Sequence, residues 1–324
     1  MAVTDIDVPT FHTLVGDDDL PLSITTSDTG IVVVMSLSGT IKVLRRIGVT
    51  FVVIPGIGEL SRTSSRMNKV VLSANGNVLA AASYDNIIVF NAVYVDGELE
   101  RYESLQQIEE SLPCDLCISP SGNTIVRNNA LSHIFVHQRD EDGYNYIRIP
   151  MDAYMIGKIK LLDDDVLVGV NARLKMWERD ENGIFVQTQK LSIYNPENLR
   201  YCGESIDIMG NKCVIGTNVG HMCFLSRIEG KYEVNYTDME AHTSSVLSVC
   251  FVPNGNVVSG CTDGSIKVWC PIVDMYVQLR HFHGIHDGQP VNAVAVTANG
   301  LLLSGGDDRK LRICGEALIA DEAD

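Results

Sequence analysis

The chain has 324 residues, of which 45% are hydrophobic and 20% are charged, a balance that excludes an intrinsically disordered protein. Its 25 lysines and arginines against 41 aspartates and glutamates give a formal net charge of −16, which disfavours direct binding to nucleic acid or to an anionic membrane. The same charge favours basic segments of other proteins as partners.

Neither a membrane-spanning helix nor a signal peptide is predicted. The longest apolar runs fall far short of roughly 20 residues, and the N-terminal sequence MAVTDIDVPT contains two acids and no apolar core. The nine cysteines are odd in number and lie mostly within strand-like segments, which indicates thiols in a reducing compartment rather than a disulfide framework. We therefore predict a location in the cytoplasm or the nucleus.

Seven repeated units follow one another along the chain. Each has a tight turn between its first two apolar segments, and the units align on one residue of that turn: Gly30, Gly76, Gly122, Asp164, Gly210, Gly255 and Gly300. The steps between these residues are 46, 46, 42, 46, 45 and 45. A repeat of about 40–45 residues is typical of the four-stranded blades of a β-propeller.

The third apolar segment of each unit predicts a strand that is buried on both faces. Fourteen positions after the turn residue, or thirteen in the shorter fourth unit, stand Leu44, Phe90, Val136, Trp177, Phe224, Trp269 and Cys314. The residue before this position is also apolar in most units. Consecutive strand residues point to opposite faces, so both faces need cover, and blades stacked face to face supply it.

The predicted fold is all-β: a seven-bladed β-propeller of four-stranded antiparallel blades, forming one domain over residues 1–315. The last unit stops soon after its third strand, so the N-terminal strand predicted at residues 8–15 is expected to complete that sheet and close the ring. An acidic tail, residues 316–324, follows. The predicted blades span about 20–56, 67–106, 113–150, 156–192, 203–239, 241–283, and 286–314 together with 8–15.

Residues 241–314 resemble WD40 repeats. The matching side chains are His242, Ser259, Asp263 and Trp269 in the sixth unit and His286, Ser304 and Asp308 in the seventh, where Cys314 replaces the family's Trp. The resemblance implies that these side chains form a structural hydrogen-bond network within each blade. Units one to five share only the period and the apolar register, so another class of propeller repeat stays open for them.

No catalytic residue, metal site or cofactor is predicted. A Ser-His-Asp hydrolase needs an accessible nucleophile and an oxyanion hole, whereas the resemblance places these residues inside a blade. Cys114 and Cys117 form a C-x-x-C without the second pair that zinc requires, and positions i and i+3 of a strand face opposite sides. The aspartate clusters at 17–19 and 163–165 lack the spacing of a calcium loop.

The loops between blades and the turns between second and third strands are expected to line one face around the central channel. Several of these loops are long, among them the one predicted from Glu103 to Pro113. They contain tyrosine and arginine, the residue types that anchor protein interfaces. The candidate partner-binding residues are Arg62, Arg66, Tyr84, Tyr154, Met155, Arg173, Tyr194 and Tyr201.

We predict a non-enzymatic scaffold or adaptor that presents a propeller face to protein or peptide partners, with a self-contained ring that is compatible with a monomer. Two alternatives remain open. One is a constitutive subunit of a larger complex. The other is an enzyme or small-ligand binder that uses the channel, for which Asp17–Asp19, Asp152 and Glu204 are the candidate acids.

Overall fold

The computed structural model describes residues 12–16, 19–47, 50–54, 67–83, 86–109, 113–129, 133–149, 156–193, 201–273 and 275–315. These residues form 28 strands in seven four-stranded antiparallel sheets. The first strands of successive sheets contact one another, and the contact between the last sheet and the first closes a ring. The predicted seven-bladed β-propeller is confirmed.

Strand β1 (His12–Gly16) is set apart from the strands that follow it, which fill the blades in chain order. The first blade holds β2 (Pro21–Thr26), β3 (Ile31–Ser36), β4 (Ile41–Ile47) and β5 (Thr50–Ile54). The second holds β6 (Met67–Leu72), β7 (Val78–Ser83), β8 (Asn86–Val95) and β9 (Glu98–Glu109). The third holds β10 (Pro113–Ile118), β11 (Thr124–Asn129), β12 (Ile134–Arg139) and β13 (Tyr144–Ile149).

The next three blades follow the same order. The fourth holds β14 (Lys158–Leu161), β15 (Val166–Val170), β16 (Arg173–Arg179) and β17 (Phe185–Ser192). The fifth holds β18 (Gly203–Met209), β19 (Lys212–Thr217), β20 (Met222–Ile228) and β21 (Lys231–Asp238). The sixth holds β22 (Val246–Phe251), β23 (Val257–Cys261), β24 (Ile266–Ile272) and β25 (Met275–Phe282).

The seventh blade joins the two ends of the propeller. It holds β26 (Val291–Val296), β27 (Leu302–Gly306), β28 (Lys310–Cys314) and, as its outermost strand, β1. The pairing of β1 with β28 is antiparallel, with His12 opposite Ile313 and Gly16 opposite Lys310. Closure by the N-terminal strand is confirmed, although residues 8–11 of the predicted strand lie outside the described residues.

The apolar register predicted for the third strands is wrong by one residue in the third and fifth blades. In the sixth blade Trp269 pairs with Val257, which also pairs with Phe251, three residues after the point at which the inner strand resumes regular pairing. The equivalent residues are His137, which pairs with Ile125, and Leu225, which pairs with Cys213. The predicted residues, Val136 and Phe224, therefore point to the opposite face.

The error comes from turns of different length. In the third blade the first turn is one residue longer than in the sixth, and in the fifth blade Gly210 belongs to a shorter, two-residue turn. The second blade also has the longer first turn, but its second turn is one residue shorter, so Phe90 keeps the register. Because side chains alternate between faces along a strand, one extra residue moves the whole pattern to the other face.

Side-chain hydrogen bonds to backbone groups join the inner strands of neighbouring blades. Ser23 Oγ lies 3.3 Å from both the nitrogen and the oxygen of Val70, and so ties the first blade to the second. Ser248 Oγ ties the sixth blade to the seventh in the same way, at 3.0 Å from the nitrogen and 3.3 Å from the oxygen of Val294. At the ring closure, Thr26 Oγ1 donates to Val296 O over 2.9 Å.

Carboxylates supply the same connection in the middle of the ring. Asp115 Oδ2 accepts the N–H of Ile159 over 2.8 Å, while Oδ1 lies 3.0 Å from Lys69 Nζ, so this side chain ties the second, third and fourth blades together. Asp207 does the same for the fourth, fifth and sixth blades. Together with Ser205, which donates to Val246 O, these contacts cover every remaining junction.

The outer strands carry a recurring tyrosine. The hydroxyls of Tyr102, Tyr144 and Tyr276 each donate to the carbonyl oxygen of the first-turn glycine of their own blade, Gly76, Gly122 and Gly255. Tyr232 stands at the same place in the fifth blade, yet its buried hydroxyl has no partner among the described residues. The shorter first turn of that blade leaves Gly210 out of position for this bond.

Two glutamines of outer strands bond to the backbone of this tyrosine in the next blade. Gln106 Oε1 accepts the N–H of Tyr144 over 2.7 Å, and its amide donates to Tyr144 O over 3.1 Å. Gln189 makes the equivalent pair with Tyr232, over 2.8 and 2.6 Å. These amides therefore join blades at the rim, as the serines and aspartates do at the channel.

One long loop predicted between blades is partly strand. Residues 103–109 continue β9, whose pairing with β8 extends to Asn86 opposite Glu109. The predicted loop from Glu103 to Pro113 is thus reduced to the few residues between Glu109 and Pro113. No helix among the described residues is long and apolar enough to cross a membrane.

We expect Gln189→Ala to lower the free energy of unfolding by about 1–2 kcal/mol, because it removes two hydrogen bonds to the backbone of Tyr232. Denaturant unfolding measures the change. Gln187→Ala, two residues earlier on the exposed side of the same strand, is the matched control and should change stability by less than about 0.5 kcal/mol. Equal losses in the two variants would contradict the role given to Gln189.

Candidate functional site

The sixth blade holds a buried cluster of polar and aromatic side chains. Ser259 Oγ lies 2.7 Å from His242 Nε2 and 2.9 Å from Trp269 Nε1, whose N–H donates to it. His242 Nδ1 lies 3.0 Å from Ser265 Oγ and 3.4 Å from Asp263 Oδ2. The cluster links the loop before β22 to β23, to β24 and to the turn between them, and the structure thus brings the four matched residues together.

The electrostatics of this cluster favour a neutral histidine beside an ionised aspartate. Burial lowers the pKa of His242, against the opposing hydrogen bond to Asp263. Burial works against the charge of Asp263, but hydrogen bonds from His242, Ser265 and Thr243 outweigh it and hold the pKa of Asp263 well below its usual range. Ser259 is 0% exposed, so no external substrate reaches the hydroxyl.

The seventh blade repeats the cluster without the tryptophan. His286 Nε2 lies 2.8 Å from Ser304 Oγ, and His286 Nδ1 lies 2.6 Å from Asp308 Oδ1. The guanidinium of Arg312 donates to the other oxygen of Asp308 over 2.9 Å. Here too the predicted residues lie together and are buried, and Cys314 occupies the place of the tryptophan.

The third blade uses different residues at the same positions. Arg127 is 0% exposed and takes the place of Ser259, while His137 takes that of Trp269. The Nε–H of Arg127 donates to His137 Nε2 over 3.3 Å, and the guanidinium carbon lies 3.8 Å from the centre of the Phe135 ring. Burial first, and then the charge of Arg127, lower the pKa of His137 to about 4.

This cluster was not predicted from the sequence. The signal was present as an arginine inside the otherwise uncharged strand TIVRNN. Recognising its partner required the true pairing of β11 with β12, which the turn alignment had shifted by one residue.

One group of side chains has the donor set of a metal site. His242, Cys261 and Asp263 each offer a ligand atom, and these atoms lie within 4.8 Å of one another. The His242 and Asp263 atoms already take part in the blade network. Burial raises the pKa of the Cys261 thiol to about 12, which keeps it protonated and a poor metal ligand. This arrangement fits a structural cluster, and the absence of a metal stays a prediction.

The inner strands enclose a central channel with a cavity of about 490 Å³. Its charged lining residues are Lys69, Asp115, Lys158, Lys160, Glu204 and Asp207. Four of them form two ion pairs, Lys69 with Asp115 and Lys160 with Asp207. Among the acids predicted for a channel site, Glu204 lines the channel, and Asp19 accepts the N–H groups of Leu20 and Ser38. Residues 17, 18 and 152 lie outside the described residues.

Two of the eight candidate partner-binding residues lie in the described part of the chain. Arg173 is exposed at the start of β16. The Tyr201 ring is partly buried, with its centre 5.2 Å from that of the His221 ring. The other six lie outside the described residues: Arg62, Arg66, Tyr84, Tyr154, Met155 and Tyr194.

Ser259→Ala should lower the free energy of unfolding by roughly 2–4 kcal/mol, because it leaves both the Trp269 indole and the His242 ring buried without this partner. Ser304→Ala is the matched substitution in the seventh blade, where the hydroxyl contacts only His286. It should cost about half as much, as measured by chemical denaturation. A cost for Ser304→Ala as large as that for Ser259→Ala would refute the part assigned to Trp269.

Stability should also fall as the pH drops from about 6.5 to 4. His137 is neutral in the fold, with a pKa of about 4, whereas the unfolded chain binds this proton near pH 6.5. The stability that depends on a neutral His137 is fully present above pH 6.5. It is lost progressively as the pH approaches 4, by about 3 kcal/mol in all. The free energy of unfolding, measured at several pH values in this range, should depend less steeply on pH in His137→Phe than in the wild type. An equally steep dependence in the variant would show that another group titrates.

Two segments of the chain match a known family model. Residues 233–270 and 277–314 match the model described as WD domain, G-beta repeat. A stretch of 65 residues is 37% identical to the echinoderm microtubule-associated protein-like protein elp-1 of Caenorhabditis elegans. This stretch covers 20% of the chain and 7% of that relative, so the chain matches only a small part of the relative's length.

Solved structures with the same fold include the WD40 β-propeller domain of Doa1, with a TM-score of 0.70 and 16% identity over 94% of this chain and 96% of that one. A chain in a mitotic checkpoint complex has a TM-score of 0.70 and 14% identity over 97% of this chain and 96% of that one. At these identities the likeness concerns the fold alone. The chain thus contains two segments that match WD40 repeats, and the whole ring has the fold of a seven-bladed β-propeller.

Proposed function

We propose that this protein is a non-enzymatic scaffold or adaptor that presents one face of a rigid ring to peptide or protein partners. The observation that carries this proposal is the burial of the Ser-His-Asp clusters. Ser259 and Ser304 are 0% exposed and bonded inside their blades, so the groups that could support hydrolysis hold strands together instead. What the ring offers to other molecules is its surface, and protein binding is the common role of WD40 propellers.

The proposed binding face is the one lined by the loops between blades and by the turns between second and third strands. Arg173 and Tyr201 belong to it, and the six further candidates lie in neighbouring loops of the sequence. Tyrosine and arginine combine a large contact area with directional hydrogen bonds, which is why they dominate the energy of protein interfaces.

The charge of the ring favours a basic segment as the partner. Acidic residues are also dense on the opposite face, where the turns at 140–143, 162–166 and 180–184 contain eight carboxylates and no lysine or arginine. Opposite charges steer association, so a lysine- and arginine-rich segment would approach either face faster than an acidic one. The experiment must therefore distinguish the two faces.

The proposal includes a location in the cytoplasm or nucleus and no cofactor. No disulfide links the eight cysteines that the structure describes, and several of these thiols are fully buried, which is compatible with a reducing compartment. A permanent place in a larger complex is the alternative within the same class, and it differs from a scaffold in the lifetime of its contacts.

The test is affinity purification of the tagged full chain under mild conditions, read by mass spectrometry. Two variants accompany it. The first changes Arg62, Arg66, Tyr154 and Tyr194 to alanine; the second, on the opposite face, carries the substitutions Glu141→Gln, Asp142→Asn and Glu181→Gln. We expect proteins with basic segments to co-purify with the wild type and the second variant, and to be lost or reduced about tenfold with the first.

Each outcome separates one part of the proposal from the rest. Loss with the second variant alone moves the binding site to the opposite face. Partners that stay bound at near-stoichiometric yield through a high-salt wash indicate a constitutive subunit. If no protein co-purifies and neither variant changes any cellular phenotype, the scaffold function is wrong.

A further inference from the structure

Among the described residues, the charged side chains of the channel wall lie on one side only. All six charged lining residues belong to the inner strands of blades two to five. Blades six, seven and one contribute uncharged side chains, among them Leu22, Leu247, Ala293 and Ala295. A molecule inside the channel would therefore meet charges along one side and an apolar or hydroxyl-bearing surface along the other.

Four of the six charges are already committed to holding the blades together. Lys69 lies 3.0 Å from Asp115, and Lys160 lies 2.7 Å from Asp207. Each aspartate also accepts a backbone N–H from the following blade. The attraction of the Asp207 carboxylate outweighs the effect of burial, so the pKa of Lys160 is raised and its ammonium stays charged. These pairs are satisfied without any ligand.

The remaining two charges are Lys158 and Glu204, and they differ from the other four. Among the described residues, neither side chain forms an ion pair or a hydrogen bond, although both are partly buried in the channel wall. They stand on neighbouring inner strands whose backbones touch just before them, where a Cβ built on Gly157 would lie 3.6 Å from the oxygen of Gly203. The channel thus holds one available cation and one available anion on adjacent strands.

We propose that the channel binds a small zwitterion of amino-acid size. Its carboxylate contacts the Lys158 ammonium, its ammonium contacts the Glu204 carboxylate, and its apolar part faces the uncharged wall of blades six, seven and one. The cavity of about 490 Å³ lies within the range of about 300–1,000 Å³ that is typical of small-molecule sites.

The pair of charges also determines which molecules are excluded. A simple anion would match Lys158 but leave Glu204 partly desolvated without a partner, and a simple cation would do the reverse. Selectivity for zwitterions therefore comes from the penalty on the wrong ligand as well as from the contacts with the right one. This inference concerns the channel and does not depend on the proposed scaffold function.

Isothermal titration calorimetry on the full chain tests the proposal with leucine, methionine and phenylalanine as probes. N-acetyl-leucine lacks the ammonium group and leucinamide lacks the carboxylate, so each removes one predicted contact. We expect at least one of the three amino acids to bind. For leucine, blocking either end should weaken binding by about tenfold or more; if leucine does not bind, the same blocked derivatives of the amino acid that does are compared.

The protein variants probe the same contacts from the other side. Lys158→Gln and Glu204→Gln should each weaken binding of the amino acid by about tenfold or more. Lys231→Gln and Glu233→Gln make the same charge changes on exposed positions of β21 and should leave the affinity unchanged. Circular dichroism and denaturant unfolding of all four variants establish that they are folded.

Three results would overturn the proposal. One is the absence of binding for all three amino acids at concentrations of about 10 mM, the range of the weakest specific affinities. Another is binding that the two channel variants do not weaken. The third is an unchanged affinity on blocking one end: for the acetylated derivative this would make the channel a site for simple anions, and for the amide a site for simple cations. None of these results bears on the partner purification, so the two proposals can fail separately.

Discussion

Closure of the inner ring is the constraint on which the rest of the molecule depends. Each inner strand has no hydrogen-bonded strand on its channel side, so its position relative to the next blade comes from side-chain contacts and from a few backbone hydrogen bonds such as Gly203 N–H to Asn171 O. The serines, aspartates and threonine along the channel bond directly to backbone N–H and carbonyl groups of the neighbouring strand at five of the seven junctions. Ion pairs between lysine and aspartate join blades two and three and blades four and five. A blade cannot slide past its neighbour without breaking such bonds, and these groups would then be buried without partners.

Different side chains hold the strands of one blade together in different parts of the ring. The sixth blade uses serine, histidine and tryptophan, whereas the third uses a buried arginine between a histidine and a phenylalanine ring. Both solutions fill the space between strands and give the buried histidine a hydrogen-bond partner. This explains how units that share almost no motif residues still form equivalent blades: the ring requires filled positions rather than particular side chains.

The sequence predicted those features that depend on spacing. The regular turn residues were enough for the number of blades and for closure by β1, because the period survives changes of side chain. The register of the third and fifth blades was not predictable from the turn glycine, because their first turns differ in length from that of the sixth blade and their second turns do not compensate. The buried Arg127 cluster was missed for the same reason.

The residues that line the channel were also only partly predictable from the sequence. Glu204 was among the candidate acids, but Lys158 and the two ion pairs were not predicted. Irregular pairing near the start of most inner strands, such as the shift between Val246 and Ser248, decides which residues turn toward the axis. Simple alternation along the sequence cannot place such a residue, and only the paired backbone reveals that charges from four blades share one wall.

The pairing of β1 with β28 determines how the ring would respond to tension. His12 lies opposite Ile313, so the chain enters β1 and leaves β28 at the same end of the seventh blade. A pull on the two flanking segments would load the backbone hydrogen bonds one at a time, as in a zipper, rather than all together as in shear. The seam that completes the ring is therefore its weakest point under force, and opening would begin in the seventh blade while the other six remained folded.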